Sequence, residues 1–142
     1  MAAGDPIVAY DDLELFLCSW YRSRILTRPE PVCTGVQVDR VEFEPLPEKL
    51  IVIRDDGGPE TSVLTGERSV GVSVLAGTRE NPYPAKELAR IAYALRSQIP
   101  STDPGNPVSA VLDSTAPVMV PEAQERARVY FTLTLAVAGR PL

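Results

Sequence analysis

The chain has no histidine. Histidine is the side chain whose ordinary pKa lies near neutrality and the usual general base, so every His-dependent triad, dyad and zinc site is excluded. Lysine occurs only as Lys49 and Lys86, and a lysine nucleophile needs an apolar pocket that the flanking residues do not identify. Cysteine occurs twice, as Cys18 in a helical pattern and Cys33 in a proline-rich stretch. Two are too few for a disulfide framework, the spacing is not that of a metal site, and both are expected to stay reduced. No apolar run approaches the ~20 residues of a membrane span. The N-terminus lacks the basic start and apolar run of a signal peptide, so a soluble intracellular protein with no membrane partner is expected. Neither G-x-x-x-x-G-K-[ST] nor G-x-G-x-x-G occurs, which leaves both kinds of nucleotide loop without support.

What is present is ordinary for a globular domain. The 142 residues favour one domain with a real core, and 44% hydrophobic with 23% charged residues argues against wholesale disorder. Nineteen acidic against fourteen basic residues give a net charge of −5, the wrong sign for a protein that neutralises phosphates. Adjacent carboxylates occur at Asp11-Asp12 and Asp55-Asp56. A catalytic pair must converge on substrate with one pKa raised by burial, whereas neighbours in a strand or turn point apart, so these read as a helix cap and a hydrated turn. Trp20 lies on a helix stripe and reads as core. Arg22, Arg24 and Arg28 gather at a helix end, where cations meet the dipole favourably.

Fourteen prolines fall outside the periodic segments and mark element boundaries. Leu13, Phe16, Leu17, Trp20, Tyr21 and Ile25 form a helical stripe ending near Leu26. Its opening is either Asp5-Pro6, as N-cap and first helical residue, or Asp11 or Asp12. Gly35 to Phe43 reads as a strand whose parity changes near Asp39-Arg40, implying a bulge. Leu50–Arg54 is a short apolar strand, Asp55–Pro59 a turn whose glycines accept positive φ, Ser62–Thr65 a short extension, and Ser69–Ala76 a strand. Together they predict an antiparallel meander. A second helix is expected from about Pro84 to Ile99, with Leu88, Ile91, Ala92, Leu95 and Ile99 buried. A strand at Val108–Leu112 follows, then an exposed excursion broken by Pro117 and Pro121.

The last strand, Ala127 to Ala138, alternates for twelve residues before Gly139, roughly double the usual strand length. Val129, Phe131, Leu133, Leu135 and Val137 share one face; Arg128, Tyr130, Thr132 and Thr134 share the other. At about 3.3 Å per residue it spans about 40 Å, as much as a domain of this size. It must cross the domain, bend, or project with unpaired backbone, a first hint of assembly. The order of elements predicts an α+β fold, two helices on one face of a mainly antiparallel sheet of four to five strands.

These segments together carry a resemblance: the helix Leu13–Trp20, Gly35–Arg40, Leu50–Gly58, the strand before the Pro84–Ile99 helix, Val111–Ser114, and the run Arg126-Ala127-Arg128-Val129-Tyr130-Phe131-Thr132-Leu133-Thr134-Leu135. The chain resembles the tail terminator, or tail-completion, proteins of long-tailed bacteriophages. The resemblance implies a non-enzymatic structural subunit, without cofactor or metal, that forms a hexameric ring. That ring would cap the tail tube, stop its polymerisation and join the tail to the head connector. Its partners would be further copies of itself, the tube protein and the connector. Its place would be the head-proximal tail of the virion, after assembly in the host cytoplasm. DNA would pass through the ring unbound, acidic residues facing the channel keeping it from sticking. Heterologous ring interfaces suit a long strand with a free end. The expected contacts with neighbours are the turn Arg54, Asp55, Asp56, Gly57 and Gly58, and the polar-face residues Arg128 and Tyr130. A neck protein of the same particle fits the same features. A small carboxylate-based enzyme would instead need a converging acidic pair, and a small-molecule binding module a convergent polar pocket.

Overall fold

The first helix shows how local chemistry sets the architecture. The computed structural model describes residues 7–121 and 124–142, so the Asp5-Pro6 opening lies outside the described residues. The N-cap of α1 (Leu13–Leu26) is Asp12, whose Oδ1 accepts the Leu15 N–H at 3.0 Å, satisfying one of the orphan donors of the first turn. Leu13, Leu17, Cys18, Tyr21 and Ile25 are buried, and Phe16 and Trp20 pack against them half-covered. The three arginines at its end form separate contacts rather than one patch. Arg22 donates to the Val38 carbonyl at 2.7 Å, Arg24 to Gln98, and Arg28 to Glu30.

A 3-10 turn at Pro31–Cys33 leads into β2 (Gln37–Asp39), which follows the short N-terminal β1 (Val8–Ala9). The predicted bulge at Asp39-Arg40 does not form, because β2 ends at Asp39. The parity change instead marks where the chain leaves the sheet to cross its other face. Nor is the start of the sheet a meander: β2 pairs with β3 (Lys49–Asp55) in parallel, Val38 opposite Ile51. The remaining pairings are antiparallel, giving the order β2-β3-β4-β6-β5, where β4 is Thr65–Ala76, β5 Val108–Val120 and β6 Ala127–Ala138. A separate two-stranded pair joins β1 to β7 (Arg140–Pro141). The fold is thus α+β, with a mainly antiparallel five-stranded sheet.

Asp55–Pro59, expected as a turn, runs on beside β4. The Asp56 N–H reaches the Ser69 carbonyl, the Ser69 N–H the Gly57 carbonyl, and the Glu67 N–H the Pro59 carbonyl, each at 2.8 Å. The reversal itself lies at 61–65, where the Thr61 and Ser62 N–H groups both meet the Thr65 carbonyl. The second helix, α2, spans Tyr83–Ala94 and tightens into a 3-10 turn at Leu95–Gln98. It shares the helix face with α1, and the fully buried Tyr21 hydroxyl donates to the Ala92 carbonyl at 3.2 Å. Between helices and sheet lie Val70, Val72, Val74, Phe131, Leu133 and Leu135. Each such side chain contributes about 1.5–3 kcal/mol when withdrawn from water.

Two expectations about the last segments are corrected. β5 does not stop at Leu112 but continues through Pro117 to Val120. β6 does not overhang the sheet: all twelve of its residues pair with β4, from Ala127 opposite Ala76 to Ala138 opposite Thr65, and β5 lies along its other side. It is an interior strand, its Val129-to-Val137 face buried as the alternation predicts. The free edges belong to β2 and β5.

Candidate interaction surface

Since both helices lie on one side of the sheet, every second residue of β3, β4 and β6, with the β5 residues paired to those of β6, points to the other. That face carries Leu50, Val52 and Arg54 from β3; Ser69, Gly71, Ser73 and Leu75 from β4; Arg128, Tyr130, Thr132 and Thr134 from β6; and Asp113, Thr115 and Val118 from β5. One end is apolar and is covered by the 40–48 segment, whose Phe43 and Leu46 pack on Leu50, Val52 and Leu75. Arginine holds the cover down: Arg128 pairs with Glu42, and Arg126 Nη1 donates to the carbonyls of Pro47 and Glu48 at 2.5 Å. Beyond this cover the face carries hydroxyls, the Tyr130 ring, Arg54, Asp113 and Val118.

The residues expected to meet a neighbour divide into groups. Arg54 is exposed, and its Cα partner is Gly71. The Tyr130 ring lies across that glycine, so a Cβ there would stand 2.5 Å from the Tyr130 hydroxyl. Arg54, Tyr130 and Arg128 therefore share the bare face, although Arg128 is already engaged by Glu42. Asp55 pairs with Val70 and belongs to the helix face, its N–H donating to Glu14 Oε2 and its Oδ1 accepting the Gly57 N–H, both at 2.8 Å. Asp56 is exposed beside them. Gly57 sits at φ +84°, and Gly58 is pressed so close to β4 that a Cβ would be 2.2 Å from the Glu67 carbonyl oxygen. These glycines hold the 54–58 stretch flat against β4. Sequence reasoning passed over Ser69, Ser73 and Thr115. Their signal was available for β4, where hydroxyl residues fill the phase opposite Val70, Val72 and Val74.

The buried thiols and the buried phenol are held in their neutral forms. Burial pushes the Cys18 thiol up to about 11 and also raises Cys33 and the Tyr21 phenol. This is the reverse of what activates a thiolate. Glu87 is held below its ordinary value by its hydrogen bond from Arg90. Among the described residues no group of His, Cys, Asp and Glu is placed to hold a metal ion, and no helix is long and apolar enough to cross a membrane. The clefts are open; one of about 520 Å³ lies among Leu46, Lys49, Thr78 and Arg126. Such a surface can bury area against another macromolecule. No protein-family profile and no curated protein sequence matches the chain.

Proposed function

We propose that this protein is the ring-forming terminator subunit of a long phage tail, acting by surface contact and without catalysis. The observation that carries this reading is the one-sided sheet. Its helices occupy one face, and the other presents Arg54, Tyr130, Thr132 and Thr134 on rigid, fully paired strands. An exposed face on paired strands suits an interface, whereas a small-ligand site calls for an enclosing pocket, and the cleft beside Arg54 is open. The resemblance of the helix and strand segments to tail terminators supplies the identity of the partners: further copies in a hexamer, the tube protein and the head connector. The net charge of −5 suits a channel through which DNA passes without adhering.

The test is electron microscopy of the purified protein mixed with polymerising tail tubes. A terminator caps one end of each tube and shortens the length distribution. Tubes of unchanged length with bare ends would overturn the reading. Binding to the head connector alone would assign the chain to the neck instead.

A further inference from the structure

The helix face is not covered out to its edge. Between α2 and the last part of β5 runs an open groove of about 470 Å³, with Val129 in its floor, Tyr93 and Met119 in its walls, and Lys86 and Arg90 on its rim. Met119 is 38% exposed, a large apolar side chain left in water. On the opposite face stands the 40–48 segment. From Val41 to Glu48 it carries three carboxylates, Glu42, Glu44 and Glu48, and no cation. Phe43 and Leu46 turn down onto the sheet, while Val41 is 60% exposed and Glu44 and Pro45 face solvent.

The groove is apolar with Lys86 and the Glu87-paired Arg90 on its rim; the segment, entered from Arg40, offers the exposed Val41 and Pro45 with Glu44 beside them, Glu42 being taken by Arg128. The sheet separates them, so a chain cannot fill its own groove. They nevertheless lie at one level of β6: Arg128 holds Glu42 on one face and Val129 floors the groove on the other. A rotation about an axis along the strands brings the segment of one copy to the groove of the next without translation. Repeated contacts of that kind close into a ring where the rotation divides a full turn evenly. We infer that the groove between α2 and β5 receives the Val41–Pro45 segment of a second copy of this chain, Val41 against Met119 and Tyr93 and Glu44 beside Lys86. The inference rests on the ring-forming reading above and names the contact that would build the ring. Opposite charges at such a contact steer association and reject wrong registers.

The experiment places one cysteine on each side, Val41→Cys with Met119→Cys, and applies a short bismaleimide to the purified protein. Cys18 and Cys33 are buried, and single-cysteine variants give the background. The double variant should yield a ladder of dimers, trimers and larger species ending at a closed ring. Mixed single variants should yield only dimers. No product above background, or dimers alone from the double variant, overturns the inference. A second measurement uses charge: Lys86→Glu with Arg90→Glu should weaken self-association about tenfold or more in sedimentation. Glu44→Lys in the same chain should restore most of it, and failure of that rescue counts against the contact. If wild-type protein caps tubes while no ladder forms, this contact fails and the terminator reading stands. If the ladder forms while tubes stay uncapped, the reverse holds.

Discussion

Two glycines, Gly58 beside β4 and Gly71 within it, separate close approach to backbone from close approach to a movable side chain. At Gly58 the obstacle is the Glu67 carbonyl, 2.2 Å from where a Cβ would be, and both segments are held in a ladder. Gly58→Ala should cost about 2 kcal/mol or more, measured by urea denaturation. Gly71→Ala should cost clearly less, because the atom it meets belongs to the half-exposed Tyr130 side chain, which can turn away; equal losses would refute this contrast. The buried thiol gives a pH dependence. Cys18 has a folded-state pKa raised to about 11 by desolvation, with Arg22 and Arg40 opposing the shift and Asp39 and Glu14 adding to it. A raised folded pKa means that the stabilisation is fully present below the ordinary thiol value and is lost as pH climbs towards 11. Urea midpoints should therefore fall between pH 9 and 10.5, and the fall should be shallower in Cys18→Ala. Tyr21 and Cys33, also raised by burial, keep it from vanishing. An unchanged slope would remove Cys18 from this account.

Among the elements, β5 shows what a sequence pattern conceals. Pairing with β6 skips at Ser109, at Leu112 and at Ala116-Pro117, so its register shifts three times within thirteen residues. Each extra residue resets the phase, and exposure repeats every third position, with Val111, Ser114, Pro117 and Val120 the better covered. A search for alternation loses such a strand after Leu112, and Pro117 looks like a break because a central strand would forbid it. On an edge it is tolerated. Bulges and proline are also means of blunting an exposed edge against pairing with another chain. Pro117→Thr should restore a backbone donor and promote β-rich aggregates, followed by turbidity and thioflavin fluorescence; wild-type behaviour would show that the bulges suffice. By contrast β6, α1 and the buried stripe of α2 were legible, because regular periods and half-buried faces coincide there. The parallel β2–β3 pair was not, since its register is set by the distant crossing of the 40–48 segment. The candidate surface was legible only in part: Tyr130, Arg128 and Arg54 do share a face, while Asp55 falls on the other because one residue along a strand reverses direction.

For the whole molecule, the decisive asymmetry is a sheet with one buried and one wet side. Tyr130 is the largest side chain on the open part of the wet side and is not part of the core. Tyr130→Asp should therefore leave folding intact by circular dichroism and weaken assembly in size exclusion with light scattering; unchanged assembly would remove Tyr130 from the interface. The β1–β7 pair carries a further consequence. Val8 lies opposite Pro141, and the Leu142 N–H donates to the Ile7 carbonyl at 2.7 Å, so two segments far apart in sequence are clasped side by side. The clasp couples the segment before α1 to the segment after β6: neither can fray without releasing the backbone hydrogen bonds of the other, so loosening one should speed amide exchange in both.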